Sequence, residues 1–301
     1  MFKYLNCDYF FKATLLFVLI NFIAVTSLQA EINVKDDKGN IVTLKKPAER
    51  IISLAPHITE SLFSAGAGDK IVGVVSFSDY PEAAKKITRI GGYSSINIEK
   101  IISLKPDLIV AWSSGSNLQQ IKKLSDLGFT VFLSEPHLPL DIAITIQRFG
   151  ELAGTEKIAI KSAEEFIKHY RELKNRYSNR KKVKVFYQIW NKPLMTVSGK
   201  HLISNIIDLC GGVNIFSDLR TLTPSVSIEA VVASNAEVIV AGQMGETNSD
   251  WANEWKPWSQ LPAVKNDHIY FVNPDFLHRV GPRILQGADQ LCEILDKVRN
   301  R

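Results

Sequence analysis

One fourteen-residue pattern occurs twice in this chain and limits the fold more than any other feature. Residues 98–111 read IEKIISLKPDLIVA and residues 228–241 read IEAVVASNAEVIVA, and the two align without a gap. In each copy a capping residue, Asn97 or Ser227, stands two positions before a glutamate. That order marks the start of a helix. A short apolar run closes each copy, as a strand buried on both faces requires. A helix feeding a buried strand, written twice, predicts two versions of one α/β unit.

The rest of the chain fits the same plan. Apolar runs at Ile51–Ala55, Ile71–Val75, Leu108–Ala111 and Val131–Leu133 form one strand series. Runs at Val183–Ile189, Val238–Ala241 and His268–Val272 form a second. Helical patterns are expected at Thr59–Ala65, Asn117–Leu127, His201–Cys210 and Pro282–Val298, and an opening hairpin at Ile32–Leu44 turning at Lys38-Gly39-Asn40. Between the two series Ala163, Phe166, Ile167, Tyr170, Leu173 and Tyr177 follow a 3.6-residue period, with no proline or glycine from Thr155 to Asn179. With Thr155 as N-cap, this helix would run about 37 Å at 1.5 Å per residue. The expected division is residues 31–153 for a first lobe, 154–180 for the linking helix and 181–301 for a second lobe. A core helix inside one large domain is the competing interpretation of the same pattern.

The N-terminus points to export. Lys3 and Lys12 precede an uncharged run from Ala13 to Val25, and Leu28-Gln29-Ala30 offers a small residue for cleavage. This is the order of a secretory signal peptide over residues 1–30, and the run is shorter than a membrane span needs. Removing Lys3, Lys12 and Asp8 from the chain's 36 basic and 31 acidic residues leaves 34 and 30. So mild a surplus, evenly spread, does not suggest nucleic-acid binding. Cys210 and Cys292 are the cysteines beyond residue 30. In an oxidising compartment two such cysteines favour a disulfide over a metal or catalytic pair. The six histidines (57, 137, 169, 201, 268 and 278) show no metal-ligand spacing, so neither a metal nor a cofactor is expected.

Ligands of open α/β sheets bind beyond the carboxyl ends of the strands. Pro56, Phe77, Trp112 and Asp275 follow predicted strands, and Tyr93 lies in the loop before Glu99. Aromatics at such an edge suit a large, partly apolar ligand, with Asp275 and Arg279 fixing its orientation. Each aromatic taken alone could equally be a core residue at a strand end.

The stretches RIISLAPHITESLFSAGAGDKIVGV, SDYP, INIEKIISLKPDLIVAW and HIYFVNPDFLHRVGPRI, with DLCGGVNIF between them, resemble the periplasmic cobalamin-binding proteins of ABC importers. That group also carries iron-siderophores and haem. The resemblance covers roughly residues 45–298. It implies an α/β fold of two Rossmann-like lobes joined by a single long backbone helix, the class III periplasmic binding protein form. It also implies a corrinoid held by Pro56, Phe77, Tyr93, Trp112, Asp275 and Arg279. Phe77 stands where the family often has tyrosine, Tyr93 where it has tryptophan, and Thr223 where a second tryptophan is expected; Trp190 or Trp251 are the candidates to replace it. For haem the available cleft ligands would be Tyr80, Tyr93 and His278.

By the same resemblance Glu99 and Glu229, one on each lobe, dock into arginine pockets of a membrane permease dimer, Cys210 pairs with Cys292, and the protein is a periplasmic monomer. Both glutamates also sit where a helix dipole favours negative charge, which would account for them without any partner. An enzyme is the contrasting class. The chain lacks a G-x-S-x-G elbow, Val197-Ser198-Gly199-Lys200 being no substitute, and it has no phosphate loop and no dinucleotide glycine pattern.

Overall fold

The computed structural model describes residues 31–92, 95–242 and 248–300. The proposed signal segment and Tyr93 lie outside the described residues. The chain opens with an antiparallel hairpin, β1 (Ile32–Lys35) and β2 (Ile41–Leu44), in register Ile32 to Leu44. Asp36 caps its turn, accepting from the Lys38 and Asn40 amides.

Four parallel strands follow: β3 (Ile51–Ser53), β4 (Ile71–Val74), β5 (Leu108–Trp112) and β6 (Val131–Ser134), in the order β4-β3-β5-β6. The second sheet holds β7 (Val183–Gln188), β8 (Gly212–Asn214), β9 (Val238–Ala241) and β10 (Ile269–Phe271), in the order β8-β7-β9-β10. The two orders are the same. In each sheet the first strand takes the second on one side and the third and fourth on the other. The repeat seen in the sequence is therefore a repeat of topology. Its copies form helix α2 (Ile98–Ser103) before β5 and helix α7 (Ile228–Ala233) before β9. Asn97 accepts from the Lys100 amide at 2.8 Å, and Ser227 from the Ala230 amide at 3.2 Å. Even the backbone strain repeats: Lys105 and Asn235, at the same place in each copy, both have left-handed φ, 47° and 55°.

The other helices are α1 (Pro56–Ser64), α3 (Leu118–Asp126), α4 (Pro139–Ala153), α5 (Glu156–Tyr177), α6 (Leu202–Leu209), α8 (Asn248–Trp255), α9 (Pro262–Lys265), α10 (Pro274–Leu277) and α11 (Ile284–Arg299). Helix α5 is the expected linking helix, with Ala159, Ala163, Phe166, Leu173 and Tyr177 buried along one stripe. Thr155 occupies the N-cap position but does not cap. Its hydroxyl donates instead to Ala65 O at 2.6 Å, tying the start of α5 to the end of α1. Helix α4 runs back along α5, turning at Gly154, whose φ of 66° glycine adopts without cost.

Strand alternation sorts the core into layers. Ile52, Leu54, Ile109 and Ala111 face an outer layer with Ile101, Ile121 and Leu124. Phe186, Ile239 and Ala241 face another with Trp251, Trp255 and Leu261. The opposite faces of both sheets merge into one buried cluster, which runs from Ile51 and Val110 through Phe149, Ala163 and Phe166 to Val185, Val240 and Leu291. Helices α4 and α5 thus lie inside a core shared by both sheets. Cys210, after α6, is bonded to Cys292 in the middle of α11, with Cα atoms 4.6 Å apart.

Candidate functional site

In each sheet the order of the strands reverses between the first and the third, and beyond their carboxyl ends lies the natural crevice of such a fold. Pro56 opens α1 three residues after the end of β3, and Trp112 is the last residue of β5, so the two flank this point in the first sheet. The Trp112 indole is fixed from behind. Its Nε1 donates to Glu135 Oε1 at 3.2 Å, the Glu135 amide donates to Asp37, and Asp37 pairs with Arg148. His57 meets the Trp112 ring edge-on with centroids 5.1 Å apart. Burial, followed by the Arg279 charge, lowers the pKa of this imidazole to about 4, so it is neutral at pH 7.

Phe77 sits in the loop after β4 with a left-handed φ of 64° and is 66% exposed. A bulky residue in that conformation costs of order 1–3 kcal/mol, and strain of this kind gathers at functional sites. Among the described residues the large exposed aromatics are Phe77, Tyr80 and Trp190. All three follow the carboxyl ends of strands, Phe77 and Tyr80 after β4 and Trp190 after β7. Trp251 is 2% exposed within the second lobe's core, so of the two tryptophans considered only Trp190 remains near the edge.

Asp275 lies in α10, just beyond β10, and Arg279 follows it by one turn; the two pair at 2.9 Å. Arg279 also reaches across to the first lobe, to Asp79 at 2.8 Å and Glu60 at 3.2 Å. Burial disfavours its charge, but the Asp79 hydrogen bond and the surrounding carboxylates outweigh that and raise its pKa. Asp79 is the mirror case: burial works to raise its pKa, while the Arg279 bond and charge prevail and lower it. Glu60, Asp79 and Arg283 were absent from the residues singled out in the sequence. The signal for Glu60 was its place on α1 among Ile58, Thr59 and Leu62, where a carboxylate is buried only if paired.

Of the haem-ligand candidates, His278 and Tyr80 have partners within the protein, and Tyr93 lies outside the described residues. His278 Nε2 lies 3.0 Å from the Tyr187 hydroxyl, and burial, followed by the His201 charge, lowers its pKa to about 4. The Tyr80 ring is covered by the Arg283 guanidinium at 4.0 Å. Among the described residues no group of three or more His, Cys, Asp or Glu could hold a metal ion. Glu99 and Glu229 are both exposed in the first turns of α2 and α7. A backbone amide and the Ser227 hydroxyl hydrogen-bond to the Glu229 carboxylate and lower its pKa.

Comparison with known proteins agrees with this architecture. The vitamin B12-binding protein of Vibrio cholerae serotype O1 is 40% identical over 250 residues, 83% of this chain and 90% of the relative. The crystal structure of the periplasmic vitamin B12 binding protein BtuF of Vibrio cholerae superposes with a TM-score of 0.78 at 39% identity, covering 85% of this chain and 99% of that one. The periplasmic haem binding protein HutB of Vibrio cholerae, at 20% identity and a TM-score of 0.73, covers 82% and 98% and shares the fold. These relatives are binding proteins, not enzymes. A family model described as periplasmic binding protein matches residues 51–276, and this chain belongs to that family.

Proposed function

We propose that this protein captures cobalamin or a related corrinoid between its lobes and delivers it to the permease of an ABC importer. The observation that carries the reading is that exposed aromatics, Phe77, Tyr80 and Trp190, follow strand carboxyl ends on both lobes, as the anchored Trp112 ends β5. A corrin ring is broad and largely apolar on its faces, with amide side chains at its edge. Aromatic surfaces suit the faces and carboxylates suit the amide N–H donors. The similarity to named vitamin B12-binding proteins along most of the chain supports the same ligand. Pro56, Phe77, Tyr93, Trp112, Asp275 and Arg279 are the proposed contacts, and Glu99 and Glu229 the proposed docking pair. Residues 1–30 are the proposed signal peptide, which would release a monomer into the periplasm.

The test is isothermal titration of the purified protein with cyanocobalamin, with a ferric siderophore and haemin in parallel. One-to-one binding of cyanocobalamin at submicromolar concentration is expected. Silence with cyanocobalamin and a signal with an iron chelate would overturn the corrinoid reading and move the protein to the siderophore and haem branch of its group.

A further inference from the structure

Two arginines of the second lobe reach the first lobe, and both are paired with carboxylates of the protein itself. Arg283 forks onto Glu60, with Nε at 2.9 Å from Oε2 and a terminal nitrogen at 2.6 Å from Oε1, while its plane covers the Tyr80 ring. Arg279 donates through one terminal nitrogen to Glu60 and Asp79, and through the other to Asp275. Glu60, with its side chain only 2% exposed, is shared by both guanidiniums. Glu60, Asp79 and Asp275 set against Arg279 and Arg283 leave one net negative charge within the cluster itself, with Lys85 and Arg89 flanking Asp79 outside it.

Its composition varies with depth. Glu60, Arg279 and Arg283 form the buried floor, whereas Asp79 and Asp275 are 43% and 34% exposed. Asp79 stands between Phe77 and Tyr80 on the first lobe, and Asp275 beyond β10 on the second. The accessible edge of the cluster is therefore carboxylate on both sides of the cleft, with the positive charge behind it. A carboxylate has about four acceptor sites, more than one arginine contact fills.

We infer that this cluster is a charge filter for the ligand. Both guanidiniums that could receive the carboxylates of an anionic ligand are already paired, and an approaching anion meets Asp79 and Asp275 first. A neutral ligand bearing amide N–H groups meets acceptors instead. Glu60 acts as a positioning residue, fixing both guanidiniums at the floor of the site so that Arg279 meets the ligand with its charge already compensated, and Asp79 is a specificity-determining residue on the first lobe. This rests on the proposed function insofar as the ligand occupies the cleft between the lobes.

The experiment measures cyanocobalamin and haemin affinity in the same protein, with haemin chosen because its two propionates are anionic. The wild type is compared with Asp79→Asn, Asp79→Asn with Asp275→Asn, and Glu60→Gln. Each neutralised carboxylate is expected to tighten haemin binding relative to cyanocobalamin by roughly tenfold, as one charge at about 10 Å and an effective dielectric near 20 would give. The gain should shrink when the salt is raised to about 1 M. A haemin affinity left unchanged by Asp79→Asn and by the double variant overturns the filter, whatever happens to cyanocobalamin. Asp79 is partly exposed, so that variant reads the filter even if Glu60→Gln fails to fold. A wild type that ignores cyanocobalamin would sink the corrinoid assignment alone, since the change in haemin affinity between wild type and Asp79→Asn still tests the filter.

Discussion

The imidazole of His57 occupies an unusual position, 5% exposed between the Trp112 ring and the second lobe, with no hydrogen-bond partner at Nε2 among the described residues. Its pKa falls from 6.5 to about 4, first because burial disfavours the cation and second because Arg279 is near. The unfolded chain therefore binds a proton between pH 6.5 and 4 that the folded chain refuses. Stability from this residue is fully present above pH 6.5 and declines as pH falls toward 4. A shift of that size corresponds to roughly 3 kcal/mol. His57→Phe keeps the aromatic edge against Trp112 and removes the titration. Denaturant unfolding at pH 7 and pH 4.5 should show the wild type losing more stability than the variant by an amount of that order. His201 and His278, also lowered to about 4 with burial as the first cause, should leave the variant some residual loss. Equal losses in both proteins would mean that His57 can protonate in the fold.

At the scale of elements α4 and α5 meet closely beside the turn that joins them. A Cβ placed on Gly150 would lie 2.2 Å from the Ala159 Cβ, an atom fixed to its own backbone and unable to swing away. Helix propensity favours alanine over glycine by about 1 kcal/mol. Overpacking costs about 1–3 kcal/mol and here involves two backbones rather than a flexible side chain. Gly150→Ala should therefore destabilise by about 1–2 kcal/mol despite its better propensity, and adding Ala159→Gly should recover part of that in a double-mutant cycle. A stabilised Gly150→Ala protein would show that the helices stand farther apart.

The same contact shows what the sequence could convey about the fold. Long apolar runs announced β3 to β7 and β9 because those strands are covered on both faces, and the period of α5 was plain because one stripe is buried. Strand β8, Gly212–Asn214, has no apolar run at all; it forms because β7 offers it an edge. Helix α4 did carry a signal in Ile142, Ile146, Phe149 and Leu152, and was passed over. The strand-end placement of Trp112 and Phe77 was legible, because a residue that follows an apolar run can be read from the sequence. The Glu60–Arg283 pair was not legible, because a contact across 223 residues leaves no local pattern in either segment.

The whole molecule is two copies of one unit whose inner layers fuse around α4 and α5, and that geometry bears on docking. Glu99 and Glu229 occupy the same place in the two copies, each exposed two residues after a capping residue and each preceding an inner strand of its sheet. Because the copies share one continuous core, the two carboxylates are carried on a single body rather than on independently moving lobes. A partner with two matched cationic pockets could then read both at once, each by a charge-assisted contact. Helix-dipole stabilisation alone would give either glutamate a modest effect on stability and would say nothing about transport. Charge reversal separates the two roles. Glu99→Arg with Glu229→Arg should abolish corrinoid uptake in cells while cyanocobalamin affinity in solution stays within about twofold, as expected if the two exposed glutamates meet the permease and not the ligand. Each single reversal should impair uptake to a similar degree, since the repeat makes the two positions equivalent. Normal uptake by the double variant would leave the dipole as the whole account of both residues, and a matching loss of affinity would place them at the ligand instead of the permease.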